Sequence, residues 1–483
     1  MEEGEVSTMK TKRKIIILLS IAIAALSCLF AFNLYNQRPN GLANKLSPPP
    51  WDRIQNEELG SRIESAYNKA VYGFQSTGSI ADLSRLYHAN GYLSEARECY
   101  EALIANGSNN PKQIHLLASI LSTYGMHDEA ILHYRNAIQL DSAYLPARIH
   151  LGNALLKSRH FEDAEKAFKQ ALELDSNNAY ALLGLARLRI ARGNWKDAKT
   201  ILKVAVEVSR YQIGVDLLAS VYQELGEGDQ ADQLKSEHDF GGYRDLPDPW
   251  IDEILIDCYD PFRLATAAGM ASFRGNPTKA RAILERAITL APRDPMLHFQ
   301  LGGISDSAGD AAQALKHYQR SVQIKPDFSD GWYNMYRIHR DNGNAGEAQR
   351  LLEQGYQNCP ESPALMIEMA DYMQRKGSFS QAVDLLRKSI ALRPHEAQAY
   401  LNLARLYFKT DQTSLGVAAM EHALQVEPGH PLALTTLALN AINSKNQLEA
   451  DGLMGRIRDQ PKVDPEALSQ LVDRYQTQFG KQP

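Results

Sequence analysis

The chain repeats itself every 34 residues, and no other feature limits its fold as tightly. In the stretch Leu145 to Asn178, Leu151-Gly152 stand at positions 7 and 8, Leu155 at 11, Ala164 at 20, Phe168 at 24 and Ala171 at 27. One period earlier stand Leu117-Ala118, Leu121, Ala130, Tyr134 and Ala137; one period later stand Leu185-Ala186, Ala198, Leu202 and Ala205. The second half repeats the pattern independently. Ala280, Ala314, Ala348 and Ala382 are spaced by 34, with Gly416 in the next slot, and so are Pro292, Pro326, Pro360, Pro394 and Pro428. Gly275, Gly309, Gly343 and Gly377 mark a turn inside each copy, and Leu437-Ala438, Ala450 and Met454 carry the last one. A repeat of this length is one supersecondary unit that cannot bury its own apolar face, so copies must stack. Two antiparallel helices per copy explain the residue sizes: small side chains at positions 8 and 20 let the helices approach, and larger ones at 4, 7, 11 and 24 fill the gaps.

This pattern resembles the tetratricopeptide repeat family over about residues 77 to 460, in 11 units starting near 77, 111, 145, 179, 212, 261, 295, 329, 363, 397 and 431. The resemblance implies an all-α fold, a right-handed superhelical solenoid of helix-turn-helix units. Glycine allows the tight turn between the two helices, and proline at position 32 ends one unit and helps start the next. Residues 51–76 read as a lead-in helix, and 461–483 as a capping helix and C-terminus in which Leu468, Leu471 and Val472 face the core.

The fifth unit departs from the pattern: Lys235 and His238 replace apolar residues late in its second helix. Residues 239–260, which include FGGYRDLPDPW and six acids from Asp245 onward, then interrupt the period. The insertion divides the repeats into lobes 77–238 and 261–460, about five and six units, and Phe240 and Trp250 are expected to cap the ends of the lobes.

Before the repeats, Ile15 to Phe32 read IIILLSIAIAALSCLFAF, 18 positions without a charge. As a helix this run is about 27 Å long, close to the roughly 30 Å hydrocarbon core of a bilayer. Lys10, Lys12, Arg13 and Lys14 precede it, so the positive-inside bias predicts a cytoplasmic tail at 1–14, a transmembrane helix or signal anchor at 15–35 and a Pro-rich stalk at 36–50. The protein is expected to be single-pass, with its repeats on the periplasmic or other extracytoplasmic side. Ala25-Leu26-Ser27-Cys28 resembles a lipobox, making Cys28 a candidate lipidation site, and a cleaved signal peptide is the third reading.

Composition narrows the chemistry. With 44% apolar and 23% charged residues the chain is globular, and a net charge of −5 gives no overall attraction to nucleic acid. The four cysteines form no C-x-x-C pair, and Cys99, Cys258 and Cys359 read as buried or unpaired thiols. No metalloprotease, hydrolase-elbow, phosphate-loop or calcium-loop signature occurs; Gly226 to Ala231 fits G-x-G-x-x-A only as an interhelix turn. The 13 histidines are dispersed and read as surface or packing residues, so no metal or other cofactor is expected. The chain is not read as an enzyme.

The tetratricopeptide resemblance implies a ligand groove lined by positions 2, 5, 9, 12 and 13 of each first helix. In units eight to ten these slots and their neighbours hold Arg337, Arg340, Arg375, Arg405 and Lys409, with Tyr333 and Phe408 beside them and Asp341 and Asp371 tempering the charge. Guanidinium forks among aromatics suit a protein or peptide partner with an acidic segment. Asn153, Lys157 and Arg187 form a weaker candidate in units three and four. The carboxylate clamp of chaperone-binding family members is absent as a set, because Ile149 stands where its lysine belongs. The expected function is a membrane-anchored scaffold for protein–protein interactions in envelope or complex assembly on the non-cytoplasmic side. Alternatives are a lipid-anchored assembly lipoprotein, a cytoplasm-facing adaptor, or a regulatory subunit of an enzyme using the acid-rich insertion.

Overall fold

The computed structural model describes residues 46–72, 76–209, 211–237, 246–458 and 464–483. Among these, 25 α-helices and one 3-10 turn make up the regular structure, with no strand. The expected tail at 1–14, the span at 15–35, Cys28 and the stalk up to residue 45 lie outside the described residues, as do His238 and Phe240. No helix of the described residues is long and apolar enough to cross a membrane.

The chain divides into two compact units, with the boundary after Arg274. In the first, a lead-in helix Glu57–Tyr72 precedes five hairpins, Ser76–Ala89 with Leu93–Ala105, Pro111–Thr123 with His127–Leu140, Leu145–Lys157 with Phe161–Leu174, Ala179–Ala191 with Trp195–Val208, and Gln212–Glu224 with Gly228–Glu237. A short helix Pro249–Ile254, a 3-10 turn Leu255–Asp257 and a helix Pro261–Phe273 complete it. The second unit opens with Pro277–Leu290 and continues with five hairpins whose first helices are Pro295–Ser307, Ser329–Asp341, Pro363–Arg375, Ala397–Lys409 and Pro431–Asn443. A last helix, Pro465–Phe479, closes that unit's core with buried Leu471 and Tyr475. The boundary therefore falls inside the sixth 34-residue period, between its two helices.

Local sequence explains each hairpin. At position 20, Ala130, Ala164, Ala198, Ala231, Ala280, Ala314, Ala348, Ala382 and Ala450 are all buried, as are the position-24 residues Tyr134, Phe168, Leu202, Leu284, Tyr318, Leu352, Leu386, Met420 and Met454. Burying a side chain of that larger class contributes about 1.5–3 kcal/mol. After the first helix the backbone turns left-handed at Gly91, Gly125, Gly193, Gly226, Gly275, Gly309, Gly343 and Gly377, where glycine has no Cβ to clash. Arg159, Asp411 and Lys445 adopt the same conformation in the three copies without that glycine. Pro292, Pro326, Pro360, Pro394 and Pro428 each follow the residue whose carbonyl accepts from the N–H three positions on, as in Asp294 N to Ala291 O at 3.1 Å. Proline thus sits where its fixed φ suits a β-turn and where no donor is needed.

The stalk's last residues, 46–50, lie on the first hairpin, where Ser47 donates from N and Oγ to Glu98 at 2.9 and 3.0 Å. Cys99, Cys258 and Cys359 are buried and form no disulfide among the described residues, in line with their reading from the sequence.

Candidate functional site

Two first-helix faces, one in each unit, carry the side chains with chemistry to offer. In the first unit the face is not bare. Asp248-Pro249 and Asp260-Pro261 are both helix starts, aspartate capping and proline at the first helical position. Between them residues 248–257 fold back onto the helices Ser76–Ala89 and Pro111–Thr123. Trp250 was expected at the end of a lobe; it lies instead flat on Tyr144, ring centroids 3.4 Å apart and planes within 8°. The physical reason is polar: the Tyr144 hydroxyl donates to Asp248, the cap of the helix carrying Trp250, and accepts from the Trp250 N–H at 3.0 Å, which brings the two rings together.

Two carboxylates fasten this strap. Asp248 is buried, and its Oδ1 accepts from the Trp250 and Ile251 N–H groups, each at 3.2 Å, and from the Tyr144 hydroxyl. Its Oδ2 lies 2.6 Å from His115 Nε2 and 3.3 Å from His150 Nε2. His115, fully buried, is boxed by the rings of Tyr134, Tyr144 and Trp250, and His150 stacks on Tyr134 with planes within 7°. Burial works to raise the Asp248 carboxyl, but the hydrogen bond from His115 and the adjoining His150 outweigh it and hold the group well below the usual carboxylate range. Burial pushes the His115 imidazole down, against the bond to Asp248, which works to raise it. Burial, then the bond to Asp248, pushes the Tyr144 phenol up. At the strap's other end, Asp257 takes Arg62 at 2.8 Å and Arg85 at 3.1 Å, and Asn90 donates to its backbone carbonyl at 2.8 Å.

Beside the strap a cavity of roughly 640 Å³ opens. His150, Asn153, Tyr180, Arg187, Asp248 and Phe262 are among its walls, so two of the three weaker sequence candidates, Asn153 and Arg187, border it. Lys157 is exposed outside that lining.

In the second unit the arginine face is laced with acids. Arg337 pairs with Asp306 and approaches Asp341 at 3.6 Å; Arg340 meets Asp341 at 3.0 Å and Glu368 at 3.3 Å. Arg375 and Arg405 share Asp371 at 2.9 and 3.8 Å. Lys409 Nζ stands 5.6 Å from the centre of the Phe379 ring. Tyr333 is half-buried against the core, and the Phe408 ring packs where a Cβ on Gly416 would come within 2.7 Å. Phe408 therefore spends its ring on helix packing.

Sequence reasoning weighed Asp341 and Asp371 but not Asp306 and Glu368, which come from neighbouring first helices. It did not connect His115 and His150 with Asp248, 133 residues from His115. The available signal was positional, because His115 occupies position 5 of its unit, a groove slot.

Stacked helical hairpins with an interior of small and large residues in fixed register define a repeat solenoid. Two family models of the tetratricopeptide repeat match, one over residues 123–170 and 155–210 and the other over 271–327 and 367–431, so these stretches carry tetratricopeptide repeats, a fold suited to scaffolding protein–protein interactions. It is similar to the cellulose synthase operon protein C of Xanthomonas axonopodis pv. citri, 26% identical over 198 residues, covering 39% of this chain and 13% of that protein. It is also similar to a probable biofilm formation methyltransferase, WspC, of Pseudomonas putida, 30% identical over 90 residues, 19% of this chain and 21% of the relative. The chain thus spans only a minor part of these curated relatives. Among solved structures, it resembles PilF of Pseudomonas aeruginosa with a TM-score of 0.38 and 15% identity, over 44% of this chain and 95% of that one. Yeast Tom70 gives 0.35 and 13% identity over 83% and 95%.

Proposed function

We propose that the chain is a membrane-tethered scaffold that holds a protein partner on the first-helix face of its second unit. The observation that carries this reading is the sharing of Asp371. Arg375 and Arg405, 60% and 57% exposed, lean on that single carboxylate. One carboxylate cannot fill two guanidinium forks of five donors each, so an acidic peptide segment would supply the second. Arg337, Arg340, Lys409 and Tyr333 flank the pair. The local charge is nearly balanced by Asp306, Asp341, Glu368 and Asp371, so geometry rather than a strong field would select the partner.

The apolar run Ile15 to Phe32 and the cations before it support a cytoplasmic tail at 1–14 and repeats on the far side of the membrane, where a held partner would serve envelope or complex assembly. No catalytic step belongs to this reading. A lipid anchor at Cys28 is the second reading, favoured by Ala25-Leu26-Ser27-Cys28.

The test is crosslinking in the native membrane followed by affinity purification of the full chain and of its R375E/R405E variant. The variant should lose the partner with its helical circular dichroism unchanged; equal recovery from both sinks the groove assignment. Reporter fusions after residue 60 check the orientation, and the mass of the mature N-terminal peptide decides between a lipidated and an unmodified Cys28.

A further inference from the structure

We propose that His115, His150 and Asp248 bind one divalent transition-metal cation, zinc foremost, which fastens the strap into the first unit's groove. Three separate elements supply the ligands: the helix Pro111–Thr123, the helix Leu145–Lys157 and the cap of the helix Pro249–Ile254. One ligand atom from each lies within 4.8 Å of the other two. Two imidazoles and one carboxylate, with no thiolate, suit zinc, cobalt or nickel; calcium and magnesium prefer oxygen sets.

The distances fit. Zinc at about 2.0–2.1 Å from each ligand places tetrahedral ligand atoms about 3.3 Å apart. His150 Nε2 and Asp248 Oδ2 are at 3.3 Å. His115 Nε2, at 2.6 Å from the same oxygen, must withdraw by about 0.7 Å as the cation replaces its hydrogen bond.

A second, independent observation points the same way. His150 Nε2 is a buried atom that stands 3.3 Å from Asp248 Oδ2 without the alignment of a hydrogen bond. A cation at the centre of the three atoms satisfies it. The surroundings also hold the ligands in place: Asp248 Oδ1 is fixed by Tyr144 and by two backbone N–H groups, which leaves Oδ2 as the ligating oxygen, and stacking on Tyr134 orients His150. His150 and Asp248 both border the cavity, so the fourth coordination position faces it, near Asn153 and Arg187. Binding through His115 Nε2 leaves that ring's proton on Nδ1, a buried atom without a partner, which sets the affinity below that of dedicated structural zinc sites.

The experiment uses the full chain in detergent, free of any polyhistidine tag and stripped of metal. Zn²⁺ alone is titrated by calorimetry, and Co²⁺ is followed by its visible absorption. The expected result is one ion per chain, a tetrahedral-type Co²⁺ spectrum and slower proteolytic cutting within residues 246–260. His150→Gln and Asp248→Asn should each weaken binding by at least about tenfold, the low end for disturbing even an outer-shell partner. Asparagine keeps the helix cap, so Asp248→Asn is expected to stay folded, which its helical circular dichroism checks. No stoichiometric binding by the parent chain, or undiminished binding by both variants, reduces the three residues to a hydrogen-bonded cluster and overturns the proposal.

Discussion

Trp250 lies flat on Tyr144, and the Tyr144 hydroxyl donates to the same aspartate that caps the helix carrying Trp250. One tyrosine thus holds the strap by its face and by its edge. A stacked aromatic pair contributes about 0.5–1.5 kcal/mol beyond area burial. Trp250 is half-buried, so Trp250→Ala should cost about 1–3 kcal/mol, less than the 3–5 of a fully buried ring. Denaturant unfolding measures the loss, and limited proteolysis should show new cuts between residues 246 and 260.

Asp257 is the strap's second fastening. Its two arginines are about 40% exposed and can turn to water when it is removed. Asp257→Ala should therefore cost about 1–2 kcal/mol, near the lower range for hydrogen bonds to charged groups. Combined with Trp250→Ala, the losses should add to less than their sum, because either change frees the same segment. Full additivity would mean that the two fastenings act on separate pieces of structure.

Gly184 and Phe168 make a third expectation. A Cβ on Gly184 would stand 2.3 Å from the Phe168 ring, and that ring is fully buried between Gly184 and Gly152. Alanine favours a helix over glycine by about 1 kcal/mol. The clash should outweigh this, so Gly184→Ala is expected to destabilise by about 1–3 kcal/mol, as overpacking does. A rise in the unfolding midpoint would contradict it.

How much of this was legible beforehand follows from range. The hairpins were, because their signals repeat at 34 residues and lie within one turn of the helix they shape. The left-handed turn at Arg159, Asp411 and Lys445 was less so: the position was fixed by the period even where glycine was missing. Asp248-Pro249 and Asp260-Pro261 announce helix starts, but not where the intervening chain goes. That depends on Arg62, 195 residues before Asp257, and on His115, 133 before Asp248. The arginine face was placed by slot counting, whereas its pairing with Asp306 and Glu368 depends on how adjacent helices lean.

Those non-glycine turns give a stabilising prediction. Arg159 at φ 61° and Lys445 at φ 62° adopt a backbone conformation that costs a side chain about 1–2 kcal/mol. Glycine relieves it but gains entropy when unfolded, so Arg159→Gly and Lys445→Gly should each raise stability by about 0.5–1 kcal/mol. Asp411→Gly should gain less, since aspartate tolerates the conformation better. Chemical denaturation of the three variants ranks them.

Glu165 provides the pH test. Hydrogen bonds from Arg189 and Lys169 hold its carboxyl down to about 2. A carboxylate depressed in the folded chain stabilises above its ordinary value of 4.5 and loses that contribution as pH falls toward 2. The group is partly open to water, so screening limits the effect to about 1 kcal/mol or less. Glu165→Gln should therefore be the less stable protein at pH 7, by a margin that shrinks steadily between pH 4.5 and 2.

The strap and the face beneath it are parts of one polypeptide, so diluting the protein does not separate them. Any visitor to that face competes with a tethered occupant whose effective concentration is set by chain length rather than by supply. Admission to the first unit then depends on matching two acids and a tryptophan at their own spacing, which abundance alone does not achieve.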